Sequence, residues 1–232
     1  MKRIGFLGGM SWESSAEYYR LANVFVREQL GGLHSADCVL VSVDFAEIEE
    51  LQRTDRWIEA GERLAAGARS LEAAGADLIV LCTNTMHKVA GAIASAVDVP
   101  FLHLADTTAA AVKAARVTTV GLLGTAFTME QAFYRDRLAG HGLTVLTPST
   151  EDRAIVHRII YEELCLGIIT DESRGEYQRI MAGLVASGAE GIILGCTEIE
   201  LLVRPMDATV PTFPTTRIHV EAAVKAALDV NA

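Results

Sequence analysis

At 232 residues the chain suits one large or two small domains, and a composition of 50% hydrophobic and 22% charged residues supplies ample material for a core. The formal net charge is −10 and lysine occurs only at Lys2, Lys88, Lys113 and Lys225, which argues against a nucleic-acid or anionic-membrane partner and for small solutes. No apolar run approaches the roughly 18 residues of a membrane span, and Met1-Lys2-Arg3 enters a strand pattern without a signal peptide, so a cytoplasmic protein is expected.

In chain order, Ile4 to Leu7 reads as a buried strand, followed by the turn Gly8-Gly9-Met10-Ser11 and a helix from about Glu13 to Leu30 capped by Ser11. The glycines allow backbone N–H groups to approach a ligand carboxylate. Neither GxGxxG nor GxxxxGK[ST] is present, so this is not a dinucleotide or nucleotide-phosphate fingerprint. Cys38 to Val43 is the next strand. From Asp44 a helical pattern runs to about Ala74 with an interruption near Thr54-Asp55, and it carries Gln52, Arg53 and Arg56. Asp77 to Leu81 is a third strand and Cys82-Thr83-Asn84-Thr85-Met86-His87 its mouth, followed by a helix to about Val97. Pro100 to Leu104 is a strand, and the alanine-rich stretch from Asp106 to Ala115 a helix.

The second half repeats this order. Val117 to Leu123 is a strand, Gly124-Thr125 a glycine turn, and Thr128 to Gln131 has capping-box spacing at a helix start. Gly142 to Thr147 is a strand; two helices follow, about Glu151 to Leu166 and Asp171 to Ser187. Ile192-Ile193-Leu194 between glycines reads as a strand covered on both faces, with Gly195-Cys196-Thr197-Glu198 at its mouth. Val210 to Phe213, flanked by Pro211 and Pro214, suits an edge strand, and Thr215 to Leu228 a closing helix.

Two stretches align without a gap: Gly75-Ala76-Asp77 on Gly188-Ala189-Glu190, and Ile79-Val80-Leu81 on Ile192-Ile193-Leu194. Arg3 to Met10 likewise resembles Thr119 to Ala126. The chain therefore reads as two copies of one α/β unit, each with a short, mainly parallel sheet and a polar strand mouth. The expected division is 1–98 with about 208–232 for the first domain and 99–207 for the second, with a cleft between them. At the second mouth, unpaired N–H groups and a helix start favour the thiolate of Cys196; a buried structural cysteine is the competing reading. The four cysteines are scattered singly, with no CxxC, and are expected as reduced thiols.

Together, Gly8-Gly9-Met10, Thr83-Asn84-Thr85-Met86-His87, Gly124-Thr125 and Gly195-Cys196-Thr197-Glu198 resemble the cofactor-independent aspartate/glutamate racemases, closest to the branch whose chains begin GGMSWES. The resemblance covers nearly the whole chain. It implies two pseudo-twofold-related, doubly wound α/β domains, one acid/base residue from each, and racemisation without pyridoxal phosphate, other cofactor or metal. Inverting a stereocentre by proton transfer needs removal from one face and return on the other, which suits two opposed groups. Met10, Gln52, Asn84, Thr85, Thr125 and Thr197 are the expected substrate-binding residues, the last three and Asn84 being also candidates for helix caps alone.

Two departures stand out. The family motif is Cys-Asn-Thr, whereas here Thr83 precedes Asn84-Thr85 and Cys82 lies one place earlier. The internal register pairs Thr83 with Cys196, and adjacent strand residues point to opposite faces, so Thr83 is expected at the site and Cys82 away from it. The catalytic pair is then Thr83 and Cys196, unequal because a hydroxyl does not ionise near neutrality. Second, Cys165 stands where many relatives acting on dicarboxylic amino acids carry a lysine, which bears on how a side-chain carboxylate is held. The expected activity is racemisation of aspartate or glutamate. Alternatives are a decarboxylase or cis–trans isomerase of small dicarboxylates, or a binding protein without catalysis. A homodimer is possible.

Overall fold

In the computed structural model, which describes residues 1–229, the chain divides into two compact units. The first comprises Met1–Leu104 with the segment from His219 onward, and the second Ala105–Ile218.

The first unit opens with β1 (Ile4–Gly8), fully buried along its length as the apolar run requires. Helix α1 (Trp12–Leu30) follows, its N-terminus capped by Ser11, whose side chain accepts from Ser14 N–H at 3.2 Å. Then come β2 (Cys38–Ser42), α2 (Phe45–Arg53) and α3 (Trp57–Ala73). The break between the two helices falls where the sequence suggested, at Asp55, which takes φ 57°. Next are β3 (Leu78–Leu81), a 3-10 turn at Thr85–Val89, α4 (Ala90–Ala94) and β4 (Phe101–Leu102). The long helix expected up to Val97 is thus two short pieces. The strands form one parallel sheet in the order β2-β1-β3-β4.

The second unit contains most of α5 (Leu104–Ala114), then β5 (Thr119–Gly124), α6 (Ala126–Glu130), α7 (Ala132–Gly140), β6 (Thr144–Leu146), α8 (Thr150–Glu162), a 3-10 turn at Leu164–Leu166, α9 (Asp171–Ala186), β7 (Gly191–Gly195), α10 (Ile199–Leu202) and β8 (Thr212–Pro214). Its parallel sheet runs β6-β5-β7-β8, the same order as the first. Helix α11 (Thr215–Leu228) closes the chain. Both edge strands belong to the sheet of the strand they follow: β4 pairs with β3, and β8 with β7. The chain therefore crosses between units after Leu104 and at Ile218, each several residues beyond the boundaries read from sequence.

One capping expectation fails. Thr125, not Thr128, caps α6, accepting from Thr128 N–H at 3.3 Å, and Gln131 is the extended residue that separates α6 from α7. The glycine turn ends one residue before a competent cap, so the helix starts at the earliest threonine.

The core of the first unit shows how the strand mouth is aimed. Ile4 and Phe6 of β1, Leu78 and Val80 of β3, and Cys82 beyond it pack with Tyr18, Leu21 and Phe25 of α1 and Val220, Ala223 and Val224 of α11. Alternation along β3 sends Leu78, Val80 and Cys82 to this face, and Ile79 and Leu81 to the other. Gly67 of α3 comes close enough to Leu7 and Val41 to cover that opposite face. Among the described residues no helix is long and apolar enough to cross a membrane.

Candidate active site

Sheet register places two residues at equivalent positions. Leu7 pairs with Leu81 in the first sheet and Leu123 with Leu194 in the second, so the residue two beyond each mouth strand's last leucine is Thr83 in one unit and Cys196 in the other. Each is 9% exposed. The residues between, Cys82 and Gly195, point away: Cys82 is wholly buried, its thiol directed at Val80 O at 3.8 Å, and a Cβ on Gly195 would sit 2.8 Å from Leu123 O. Burial pushes the Cys82 thiol far above the ordinary cysteine range.

Each mouth is stitched to the next helix by the side chain four residues on. In the first unit this is His87. Leu104 N–H donates to His87 Nε2 at 3.1 Å, so the proton sits on Nδ1, which donates to Thr83 O at 2.7 Å. In the second unit it is Glu200, whose carboxylate accepts Thr216 N–H at 2.9 Å near the start of α11. The backbone that carries Thr83 or Cys196 is thereby held to a rigid element on each side. Ser14 Oγ adds a further tie in the first unit, donating to Cys82 O at 3.0 Å.

The expected site residues form two groups, one in each unit. In the first, Thr83, Asn84 and Thr85 continue the mouth of β3, and Met10 continues the end of β1 beside it; all are buried. Gln52 projects from α2 to the same turn, donating from Nε2 to Met86 Sδ at 2.9 Å; it is 5% exposed, and its Oε1 has no hydrogen-bond partner. Arg53 is exposed, and Arg56 is exposed and paired with Glu59 at 2.6 Å, so neither joins this group. In the second unit Thr125 follows β5 directly beside Cys196, because Gly124 pairs with Gly195. Thr125 Oγ1 also contacts Thr128 Oγ1 at 3.2 Å, and Thr197 Oγ1 contacts Thr216 Oγ1 at 3.0 Å, so both hydroxyls have structural partners as well.

Two expectations about chemistry are overturned. The Gly8-Gly9 turn does not offer its second N–H to a ligand. Gly9 N–H donates to Ser15 Oγ at 2.7 Å, and that hydroxyl donates to Ser11 O at 3.0 Å. Gly9 is glycine for another reason: φ is +98°, and a Cβ would lie 2.1 Å from Val43 O. Nor is the Cys196 thiol acidified. Burial pushes it well above the ordinary cysteine range, the Glu198 carboxylate and Cys165 raise it further, and the Glu198 backbone N–H, which lowers it as a helix start would, is outweighed. The helix that follows, α10, is a single turn, and the nearest charge is a carboxylate: Cys196 Sγ donates to Glu198 Oε2 at 2.9 Å.

The side chains around this thiol include some that the sequence did not single out. Glu198 is itself buried. Tyr177 of α9 is driven far above the usual tyrosine range by burial, and Cys196, Glu163, Glu198 and Cys165 all add to the rise, which places its hydroxyl in electrostatic reach of each. Glu163 is tied to Arg158 at 3.1 Å and accepts from Ser173 Oγ. Cys165 is half-buried on the 3-10 turn Leu164–Leu166 and not on a helix face as read from sequence. Glu198 was legible as the last residue of the Cys-Thr-Glu motif; Tyr177 carried no local signal. Among the described residues no three His, Cys, Asp or Glu side chains converge in a way that could hold a metal ion.

The Asp/Glu/hydantoin racemase family matches residues 7–223. The chain belongs to this family. The fold agrees: a crystal structure of a candidate Asp/Glu racemase from Yersinia pestis is 56% identical, with a TM-score of 0.93 over 98% of this chain and 100% of that one. An aspartate racemase homologue from Pyrococcus horikoshii OT3 is 33% identical, with a TM-score of 0.87 over 98% of this chain and 99% of that one. In sequence, the broad specificity amino-acid racemase of Bacillus subtilis (strain 168) is 25% identical over 214 residues, 90% of each protein. As a member of the racemase family the chain is an isomerase.

Proposed function

We propose that the protein racemises aspartate or glutamate, with tolerance for other amino acids, by moving the α-proton between Cys196 and Thr83. The observation that carries this reading is the register equivalence of the two residues. A repeated fold supplies one proton-transfer position per copy, and here one holds a thiol and the other a hydroxyl. A thiol can take the α-proton as thiolate; a hydroxyl can deliver one but is a poor base at neutral pH.

The remaining residues supply binding. Gln52 Oε1, a buried acceptor lacking a donor, suits a substrate N–H group, whose arrival would remove the cost of leaving it unpaired. Asn84, Thr85, Thr125 and Thr197 bring hydroxyl and amide donors to the strand mouths, where charge develops on the substrate carboxylate as the α-carbon becomes carbanionic. With Cys165 in place of a lysine, no fixed ammonium there selects a side-chain carboxylate, which favours a wider substrate range; the named breadth of the Bacillus relative agrees with this.

The test is α-proton exchange in deuterated water, followed by proton NMR on L-glutamate and L-aspartate, with carbon dioxide release measured in parallel. Racemisation predicts loss of the α-proton signal and appearance of the D enantiomer, both abolished in Cys196→Ala. Carbon dioxide release would support a decarboxylase instead, and neither signal would leave a cis–trans isomerase of small dicarboxylates or a binding protein.

A further inference from the structure

A hydroxyl such as that of Thr83 carries no charge to draw it to a substrate, so as a proton donor it must work by placement. The backbone of Thr83 is pinned on both sides. Its N–H donates to Leu81 O at 2.9 Å, and its carbonyl accepts from His87 Nδ1 at 2.7 Å. Just before it, Cys82 N–H donates to Leu7 O at 2.9 Å and Cys82 O accepts from Ser14 Oγ at 3.0 Å. Among these anchors the His87 bond alone holds the peptide group that follows Thr83, and a rotation of that peptide would swing the Thr83 side chain with it.

His87 can donate there because its other nitrogen is engaged. Nε2 accepts the Leu104 N–H, the first of helix α5, and so has no proton of its own. The ring is 3% exposed and lies among the rings of Phe101, His103 and His219, with centroids 5.8, 4.6 and 5.9 Å away. His219 is fixed in the same manner, taking the Tyr18 hydroxyl on Nδ1 and donating from Nε2 to Leu102 O. The tautomer that serves Thr83 is thus set by neighbours, and the imidazole cannot turn over without stranding the Leu104 N–H.

We infer that His87 is a positioning residue for Thr83: by holding the Thr83 carbonyl it keeps the hydroxyl where it can complete inversion. The inference rests on the racemase reading of Thr83 and Cys196. By the family resemblance, Cys196 takes the α-proton of an L substrate and leaves the electron pair on the α-carbon, which can accept a proton on either face. Return from Cys196 restores the L form. The Thr83 hydroxyl, giving its proton to the opposite face and recovering one from water, yields the D form. A displaced Thr83 loses the second outcome and leaves the first intact.

The second unit has the converse arrangement. The residue four past Cys196 is Glu200, a carboxylate that accepts a hydrogen bond and has none to give to a carbonyl. A side chain able to fix the carbonyl accompanies the hydroxyl, the group that depends on placement, and the equivalent side chain beyond the thiol cannot act so.

Two conservative variants separate the two nitrogens. Asparagine sets a donor where Nδ1 stands and nothing at Nε2; glutamine sets an acceptor at Nε2 and nothing at Nδ1. Each strands one buried group, so both should lower the melting temperature by several degrees. With L-glutamate or L-aspartate in deuterated water, His87→Gln should lower kcat for the D product at least about tenfold and leave KM within about threefold. Deuterium in the recovered L substrate, relative to D product, should rise about tenfold or more. His87→Asn should keep all three quantities within about threefold of the wild type. Equal effects of the two variants on kcat and on this partition, or no effect of His87→Gln, would assign His87 to packing and overturn the inference. Should either variant fail to fold by circular dichroism, the wild-type tautomer decides. In protein carrying isotope-labelled histidine, the nitrogen shifts of the His87 ring, recognised by its cross-peaks to the His103 ring, should place the proton on Nδ1; a proton on Nε2 overturns the inference. A wild type that forms no D enantiomer overturns the racemase reading itself, whereas D product formed with the same partition in wild type and both variants overturns only the role of His87.

Discussion

Thr83 and Cys196 stand at the same place in two copies of one parallel sheet, each two residues past the leucine that pairs with the first strand of its unit. The neighbouring thiol, Cys82, lies in the core formed by β1, β3, α1 and α11. The two thiols that sequence alone offers near the strand mouths therefore differ in kind: one lines a mouth beside a carboxylate, and the other is packing.

The difference is measurable. Cys196→Ala should abolish racemisation with no loss of folded structure by circular dichroism. Cys82→Ala should keep turnover within a few-fold while lowering stability by roughly 1 kcal/mol, through looser packing of the core cluster that also holds Phe6, Tyr18 and Val220. Comparable damage from the two changes would put Cys82 in the reaction.

Gln52 offers a trade between stability and binding. Its Oε1 is buried without a partner, a cost of about 1–3 kcal/mol in the unliganded protein. Replacing it by leucine of similar volume should raise the unliganded melting temperature and raise KM by about tenfold or more. A KM that does not move would show that the amide serves packing alone.

Backbone geometry at Gly9 gives a third test. With φ at +98° and Val43 O 2.1 Å from where a Cβ would sit, Gly9→Ala should destabilise by roughly 1–3 kcal/mol or more, measured by urea unfolding. Because the Gly9 N–H is used by Ser15, Ser15→Ala should weaken the same turn, and both variants should raise KM through Met10 next to it. Ser15→Ala with unaltered stability would contradict this account of the turn.

His219 sets an acid limit on the first unit. Its Nε2–H donates to Leu102 O at 2.9 Å, and its Nδ1 accepts from the Tyr18 hydroxyl at 3.0 Å. Burial lowers it from 6.5 to about 4, and His103 adds to the fall. The unfolded chain therefore binds a proton here at higher pH than the folded one does. The stabilisation is full above about pH 6.5, falls as pH drops from there to about 4, and is gone below; its size is of order 3 kcal/mol. Urea unfolding between pH 8 and 4 should show this slope, and His219→Gln should flatten it. A slope unchanged in the variant would assign the acid lability elsewhere.

Much of this was legible in the residues. Buried parallel strands announce themselves as continuous apolar runs bounded by glycine, so β1, β3, β5 and β7 could be read, and the gap-free internal repeat aligned Thr83 with Cys196, as the sheet registers do. Parity along β3 then assigned Cys82 to the core. What failed were features set by tertiary neighbours. A helix start beside Cys196 suggested an acidic thiol, and the Glu198 backbone N–H does lower it, but burial and the Glu198 carboxylate outweigh that N–H, and neither strength nor sign of the balance follows from spacing. The Gly8-Gly9 turn looked like an anion cradle, but its close approach to Val43 and its bond to Ser15 become visible only when β1 and β2 are adjacent. Tyr177 lies in electrostatic range of the thiol from a helix nearly twenty positions earlier in the chain, with no local signature.

Cys196 and Thr83, as the proposed proton-transfer pair, are chemically unequal, and initial rates with each enantiomer expose the inequality. By the family resemblance the second-half thiol approaches the α-hydrogen of the L enantiomer, so with glutamate and aspartate as L and D forms, deprotonation of the L form by the Cys196 thiolate should be the competent direction. Turnover from the D side depends on the Thr83 hydroxyl acting as a base, which its high pKa disfavours. A far larger kcat is expected for the L substrate, with KM differing in compensation so that the equilibrium constant of racemisation stays at unity, and a rise in the D-side kcat is expected in Thr83→Cys. Equal kcat values for both enantiomers in the wild-type protein, together with no response to Thr83→Cys, would contradict it.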